Sequence, residues 1–236
     1  MSNPYFRFKQ FTVFHDKCAM KVGTDGVLLG AWSRVEGMQR ILDVGTGCGL
    51  IALMMAQRSS DAKITAIDID ISSAEQAKEN VMNSSFCGRI EVKTLSLQQY
   101  AATKPAALDL IVSNPPFFSD SILPPDQRRS GARHSVTLTL DNLLHLSASC
   151  LATDGVLSII LPYDKMEDLE RLRVTHNYYL KRQTSVYPLP DREPKRFLAE
   201  LTLTPVDMPE ITSLTIESSR HCYTGEFTHL VKDFYL

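Results

Sequence analysis

Asp43-Val44-Gly45-Thr46-Gly47-Cys48-Gly49 is the stretch on which the fold turns. It follows the aliphatic run Ile41-Leu42-Asp43-Val44 and precedes the apolar segment 50–56. Glycine at alternate positions lets backbone approach a ligand with no Cβ in the way, and it sets that ligand at a helix N-terminus. The spacing is G-x-G-x-G rather than G-x-G-x-x-G, and a carboxylate, Asp43, opens it. A dinucleotide pyrophosphate gains nothing from a nearby carboxylate. The pattern therefore suits a nucleoside that carries a cationic amino-acid arm.

Short aliphatic runs continue on both sides of this turn. Ile64-Thr65-Ala66-Ile67, Ile90-Glu91-Val92, Leu108-Asp109-Leu110-Ile111-Val112 and Val156-Leu157-Ser158-Ile159-Ile160 alternate with helix-like segments. That order predicts an α/β chain whose parallel sheet is covered by helices on both faces. Ser72, three residues before Glu75, predicts a capping box opening a helix to about Asn83, and Asp164 predicts the N-cap of a helix running toward Val174. Residues 138–151 carry helical apolar spacing. Residues 178–187 and 197–204 read as two long strands, an antiparallel pair at a sheet edge. Asp68 ends the second strand about 20 residues after the glycine turn, where a carboxylate accepts hydrogen bonds from both ribose hydroxyls. Asp70 shares its face and is the alternative.

The run 108–112 leads into Ser113-Asn114-Pro115-Pro116-Phe117-Phe118. At the carboxyl end of a central strand this lies in the crevice where open sheets bind ligands. Pro115 and Pro116 lock the loop and remove two amide donors, which leaves carbonyl oxygens free to accept. The Asn114 side chain adds a second acceptor and Phe117 a stacking face. A planar NH₂ group needs that set: two acceptors for its hydrogens and a ring beneath its π system.

Composition narrows the class. The chain has 236 residues, 44% of them hydrophobic and 22% charged, enough for one large domain or two small ones. No apolar run nears the roughly 20 residues of a membrane span, and no secretory signal is visible, so the cytoplasm is expected. Five cysteines form no C-x-x-C pair, which argues against disulfides and against a structural metal. Net charge is −2, so any polyanion must be held by local patches. Two patches qualify. Phe6, Phe8, Phe11 and Phe14 interleave with Arg7, Lys9 and Lys17, a pattern equally suited to a packed strand, and Arg128, Arg129, Arg133 and His134 follow directly on the Asn114 loop. One domain is expected, with a basic aromatic arm at 1–23, a core at 24–204 and a tail at 205–236.

The glycine turn together with Asn114-Pro115-Pro116-Phe117 resembles the class I S-adenosylmethionine-dependent methyltransferases that modify planar amino groups. The resemblance implies a Rossmann-like, doubly wound, mostly parallel sheet of seven strands with an antiparallel edge strand. Lys21-Val22-Gly23-Thr24-Asp25-Gly26-Val27-Leu28-Leu29-Gly30-Ala31-Trp32, Ala132-Arg133-His134 and the ending Asp233-Phe234-Tyr235-Leu236 are similar to the bacterial tRNA1(Val) adenine-N(6)-methyltransferase family. That likeness implies transfer of methyl to the exocyclic amine of adenine 37 in the anticodon loop of a valine tRNA, by a monomer without a metal. By position it implies S-adenosylmethionine held by Asp43, Gly45, Gly47, Gly49 and Asp68, with Lys21 and Thr24 in a loop closing over its methionine end. Asn114, Pro115, Pro116 and Phe117 would hold the acceptor base. Relatives carry an Asp after the third strand for the cofactor's adenine, and this chain offers Ser96.

Two other readings fit the residues. The same acceptors would serve a ribosomal RNA guanine amine or a release-factor glutamine, and a non-catalytic RNA-binding module would keep the fold.

Overall fold

The architecture is that of a computed structural model, which describes residues 3–18, 20–116 and 138–236. In chain order the elements are β1 (Tyr5–Arg7), β2 (Thr12–Phe14), α1 (Thr24–Trp32), β3 (Arg40–Val44), α2 (Leu50–Arg58), β4 (Lys63–Asp68), α3 (Ile71–Met82), β5 (Ile90–Thr94), α4 (Leu97–Ala102) and β6 (Leu108–Ser113). There follow α5 (Leu140–Cys150), β7 (Leu151–Pro162), α6 (Met166–Thr175), β8 (Tyr179–Tyr187), β9 (Arg196–Thr202), β10 (Glu210–Thr215), β11 (Glu217–Ser219), β12 (Cys222–Tyr223) and α7 (Gly225–Val231).

Eight strands form the central sheet in the order β10-β8-β9-β7-β6-β3-β4-β5. The five strands from β7 to β5 run parallel, and β9 runs antiparallel to both β7 and β8. The doubly wound, mostly parallel sheet is as expected, but it has eight strands where seven were expected, the tail strand β10 being the addition. Its antiparallel strand is not at the edge, because β8 continues outward from it and β10 pairs with β8 in parallel. An uncovered β8 would present a row of unpaired N–H and C=O groups, and residues 210–215 of the tail satisfy them.

The two faces of the sheet carry separate cores. One gathers α1, α2, the first hairpin and the tail through Leu28, Met54, Phe8 and Phe234; the other gathers α5 and α6 through Leu143, Leu157 and Leu169. Phe8 and Phe11 of the aromatic arm are buried here, whereas Phe6 and Phe14 stay exposed. Lys9 N donates to Phe234 O at 2.9 Å, which joins the arm to the tail. A buried Arg182 donates to Glu200 at 2.8 and 3.2 Å and lies 3.6 Å over the Trp32 ring, tying β8 and β9 to α1.

Several helix starts differ from expectation. The cap of α3 is Asp70, whose carboxylate accepts Ser73 N at 2.8 Å; β4 ends so close that the chain turns into the helix before Ser72 is reached. Asp164 lies in a 3-10 turn (Tyr163–Lys165), and α6 begins after it without a side-chain cap. Strand β7 starts at Leu151, directly at the end of α5, rather than at Val156. No helix among the described residues is long and apolar enough to cross a membrane.

Candidate active site

Parallel strands β3, β4 and β6 end on one rim of the sheet, and their last residues and the turns that follow build the site. Val44 pairs with Ser113, so Gly45 and Asn114 leave neighbouring strands side by side. The Ser113 hydroxyl donates to Val44 O at 2.9 Å and fixes that juxtaposition.

The turn after β3 hangs from β4 by Gly45 N and Thr46 N, which both donate to Ile67 O at 2.9 and 3.0 Å. Gly45 and Gly47 have φ of +71° and +55°, and a Cβ at either would meet nothing within 4 Å. The backbone is thus bare and the space beside it open. Gly49 (φ +83°) does different work: its missing Cβ makes room for Ala77 Cβ, 3.3 Å from where it would lie, and seats α2 against α3.

Asp43 is fully buried beneath this turn. Its Oδ2 accepts from Thr46 Oγ1 at 2.6 Å and Ala52 N at 3.1 Å, while Oδ1 has no partner. Burial pushes its carboxyl up to about 7, against the pull of those two hydrogen bonds, and the negative charge of Asp68 adds to the rise. Asp68 is held by two amides, Gly47 N to Oδ2 at 2.8 Å and Asp70 N to Oδ1 at 2.9 Å. Each oxygen keeps a second lone pair for a ligand hydroxyl. Asp70 caps α3, whereas Asp68 is hydrogen-bonded to the glycine turn itself, which favours Asp68 as the ribose acceptor.

Asn114 is half-buried, Pro115 buried and Pro116 exposed. Asn114 Oδ1 is the second buried oxygen in this crevice without a partner. Buried acceptors are rarely left unsatisfied, and these two, at the ends of adjacent strands, are free to accept N–H groups. The open glycine backbone, Asp43 Oδ1 and the braced Asp68 fit a nucleoside with a cationic amine, and Asn114 Oδ1 fits an exocyclic NH₂.

Thr24, the first residue of α1, and Lys21 before it are exposed. Ser96 is committed to capping α4: its Oγ accepts Gln99 N at 3.1 Å, and its own N–H donates to Gln99 Oε1 at 2.9 Å. Phe117, Arg128, Arg129, Arg133 and His134 lie outside the described residues. Sequence reasoning missed Asn80. This buried α3 residue donates to Cys48 O and Phe14 O at 2.8 Å and accepts Phe14 N at 2.9 Å, clamping the glycine turn to the first hairpin. No motif surrounds it to give a signal. Cys48 is a packing residue; hydrogen bonding with Cys18 and burial push its thiol far above the usual range.

Comparison with known proteins agrees with this chemistry. Residues 20–175 match the family model "Methyltransferase small domain". A tRNA1(Val) (adenine(37)-N6)-methyltransferase of Parabacteroides distasonis is 53% identical over 236 residues, covering 100% of this chain and 99% of that protein. The enzyme of that name from Yersinia enterocolitica is 40% identical, covering 98% and 92%. Among solved structures, a predicted O-methyltransferase of Agrobacterium tumefaciens shares the fold at TM-score 0.67 and 18% identity, covering 89% of this chain and 96% of that one. A Thermus thermophilus 16S rRNA N2 G1207 methyltransferase, solved with AdoMet and guanosine, follows at TM-score 0.60 and 18% identity, covering 85% and 50%. The chain belongs to the methyltransferase small domain family and, within it, to the family of the tRNA1(Val) (adenine(37)-N6)-methyltransferases.

Proposed function

We propose that this protein transfers a methyl group from S-adenosylmethionine to the exocyclic N6 of adenine 37 in the anticodon loop of tRNA1(Val). The observation that carries the reading is 53% identity across the full chain to an enzyme of that name. The unpartnered Asp43 Oδ1 and Asn114 Oδ1 on adjacent strands support it.

The glycine turn, Asp43 and Asp68 would hold the cofactor, with Asp43 facing its amine and Asp68 its ribose hydroxyls. Lys21 and Thr24 would close over the methionine end, and Ser96 would border its adenine. Bound there, S-adenosylmethionine supplies an electrophilic methyl on sulfur. The chain's own task is then chiefly alignment of the amine lone pair. Adenine's amine is a poor nucleophile because its lone pair is delocalised into the ring. Asn114 Oδ1 and a carbonyl of the Asn114-Pro115 segment accept its two hydrogens, draw the nitrogen toward sp³ character and stabilise the positive charge that develops there. Because Pro115 and Pro116 have no N–H, the backbone of those two residues presents acceptors only. Phe117 stacks on the base, offsetting the few kcal/mol of turning it outward, and Arg128, Arg129, Arg133 and His134 meet backbone phosphates. A tRNA substrate puts the protein in the cytoplasm.

The test is reaction of purified protein with tritiated S-adenosylmethionine and a tRNA1(Val) transcript, followed by nucleoside mass spectrometry. N6-methyladenosine is expected, and it should vanish with guanosine in place of adenine 37. Methylguanosine as the product would contradict the reading.

A further inference from the structure

The matched domain model ends at residue 175, yet later residues join α1 in lining a cavity. About 550 Å³ in volume, it is lined by Thr24 and Asp25 of α1, Leu189 and Lys195 of the β8–β9 loop, Glu217 of β11 and Tyr223 of β12, among others. That volume suits a ligand the size of a nucleotide.

Its position ties it to the reaction centre. Strand β9 starts at Arg196 opposite Pro162, the end of β7, and Arg196 also pairs with Val186 near the end of β8. The cavity therefore lies toward the end of the sheet where β6 delivers Asn114, and β9 is two strand spacings from β6, about 10 Å away. Thr24, assigned above to the cofactor loop, is part of its wall.

The lining has the chemistry of a nucleotide site. Tyr223 is 54% exposed and is backed by Phe227 with ring centroids 4.8 Å apart, a supported face on which a base can stack. Asp25 is neutralised by Arg196 at 2.8 Å. Lys195 is exposed and forms no ion pair among the described residues, so its ammonium is available to a phosphate. Glu217 adds a carboxylate acceptor for an exocyclic amine. The loop carrying Lys195 contains Pro188, Pro190 and Pro194 and is pinned by Lys195 N to Val186 O at 2.9 Å, so little order remains to be imposed on binding.

We propose that this cavity takes a nucleotide flanking the methylated adenine in the same RNA loop, its base on Tyr223, its amine toward Glu217 and its phosphate on Lys195. The proposal rests on the functional reading above and adds a place where residues beyond the shared domain read the substrate.

Fluorescence anisotropy with an end-labelled anticodon stem-loop of tRNA1(Val) tests it. Tyr223→Ala and Lys195→Glu should each weaken RNA binding by about tenfold, the scale of one lost stacking or phosphate contact. Tyr223→Phe should bind as wild type, and S-adenosylmethionine affinity by calorimetry should be unchanged in all three, which also reports an intact fold. An abasic residue beside adenine 37 should weaken wild type and cost nothing further in Tyr223→Ala. If wild type methylates this RNA while Tyr223→Ala and Lys195→Glu bind it equally well, or the abasic penalty is the same in wild type and Tyr223→Ala, the cavity proposal fails alone. If wild type transfers no methyl to it, the functional reading fails and takes the cavity proposal with it.

Discussion

Asn114 and Asp43 each end in a buried oxygen with no protein partner, and both stand where the adjacent strands β3 and β6 end. Asn114→Ala removes an acceptor needed while charge develops on the amine, so turnover should fall by about two decades. Calorimetry should find its cofactor affinity intact; equal loss of both would mean that Asn114 supports the cofactor instead. Asp43 makes a prediction about pH. Its carboxyl stands at about 7 when folded against 3.8 ordinarily, so between those values the folded protein holds a proton that the unfolded chain has lost. The stability this confers is present below about pH 4 and disappears as pH rises to about 7. A cofactor amine facing Asp43 favours the charged carboxylate, so cofactor affinity should rise with pH across the same range. Asp43→Asn should flatten both profiles, as read by denaturation midpoints and by calorimetry; an unaltered affinity profile would remove the carboxylate from the site. Both residues stand in short, ordered motifs visible in the sequence, whereas the helix cap that Ser96 makes with Gln99 was not read there.

At the scale of elements, α3 holds the site together. Asn80 satisfies Phe14 N, Phe14 O and Cys48 O at once, the last of them in a buried hydrogen bond. Asn80→Ala should cost about 1–3 kcal/mol for the groups left unpaired, with a lower urea midpoint. Loosening the glycine turn should also weaken cofactor binding several-fold. Lys17→Ala breaks only an ion pair to Glu79, with both side chains about half exposed, and should leave the midpoint nearly unchanged. If the two variants behave alike, the clamp is not what fixes the turn. The strands and most helices were readable from aliphatic runs and turn residues. Helix starts were less so: Asp70 and Ser72 are both good caps in isolation, and the length of the turn out of β4 decides between them.

Over the whole molecule, the ends of the chain are where the sequence said least. Leu214 and Ile216 alternate as a strand should, but pairing with β8 is set by which edge stands uncovered, and that is a property of the assembled sheet. Likewise Phe8 and Phe11 fit an RNA-binding arm or a packed one, and the tail residue Phe234, more than 220 positions away, is part of the core they enter. The glycine turn and the Asn114 loop escaped this ambiguity, because the order of strand, turn and acid already places them on one rim. The central claim is that donor and acceptor meet there, over the ends of β3 and β6. A crystal structure with S-adenosylhomocysteine and the tRNA1(Val) anticodon stem-loop tests it most directly. The adenine 37 amine should lie about 3 Å from Asn114 Oδ1, with the cofactor sulfur over the glycine turn; an adenine seated away from Asn114, or a cofactor bound elsewhere, would contradict the account.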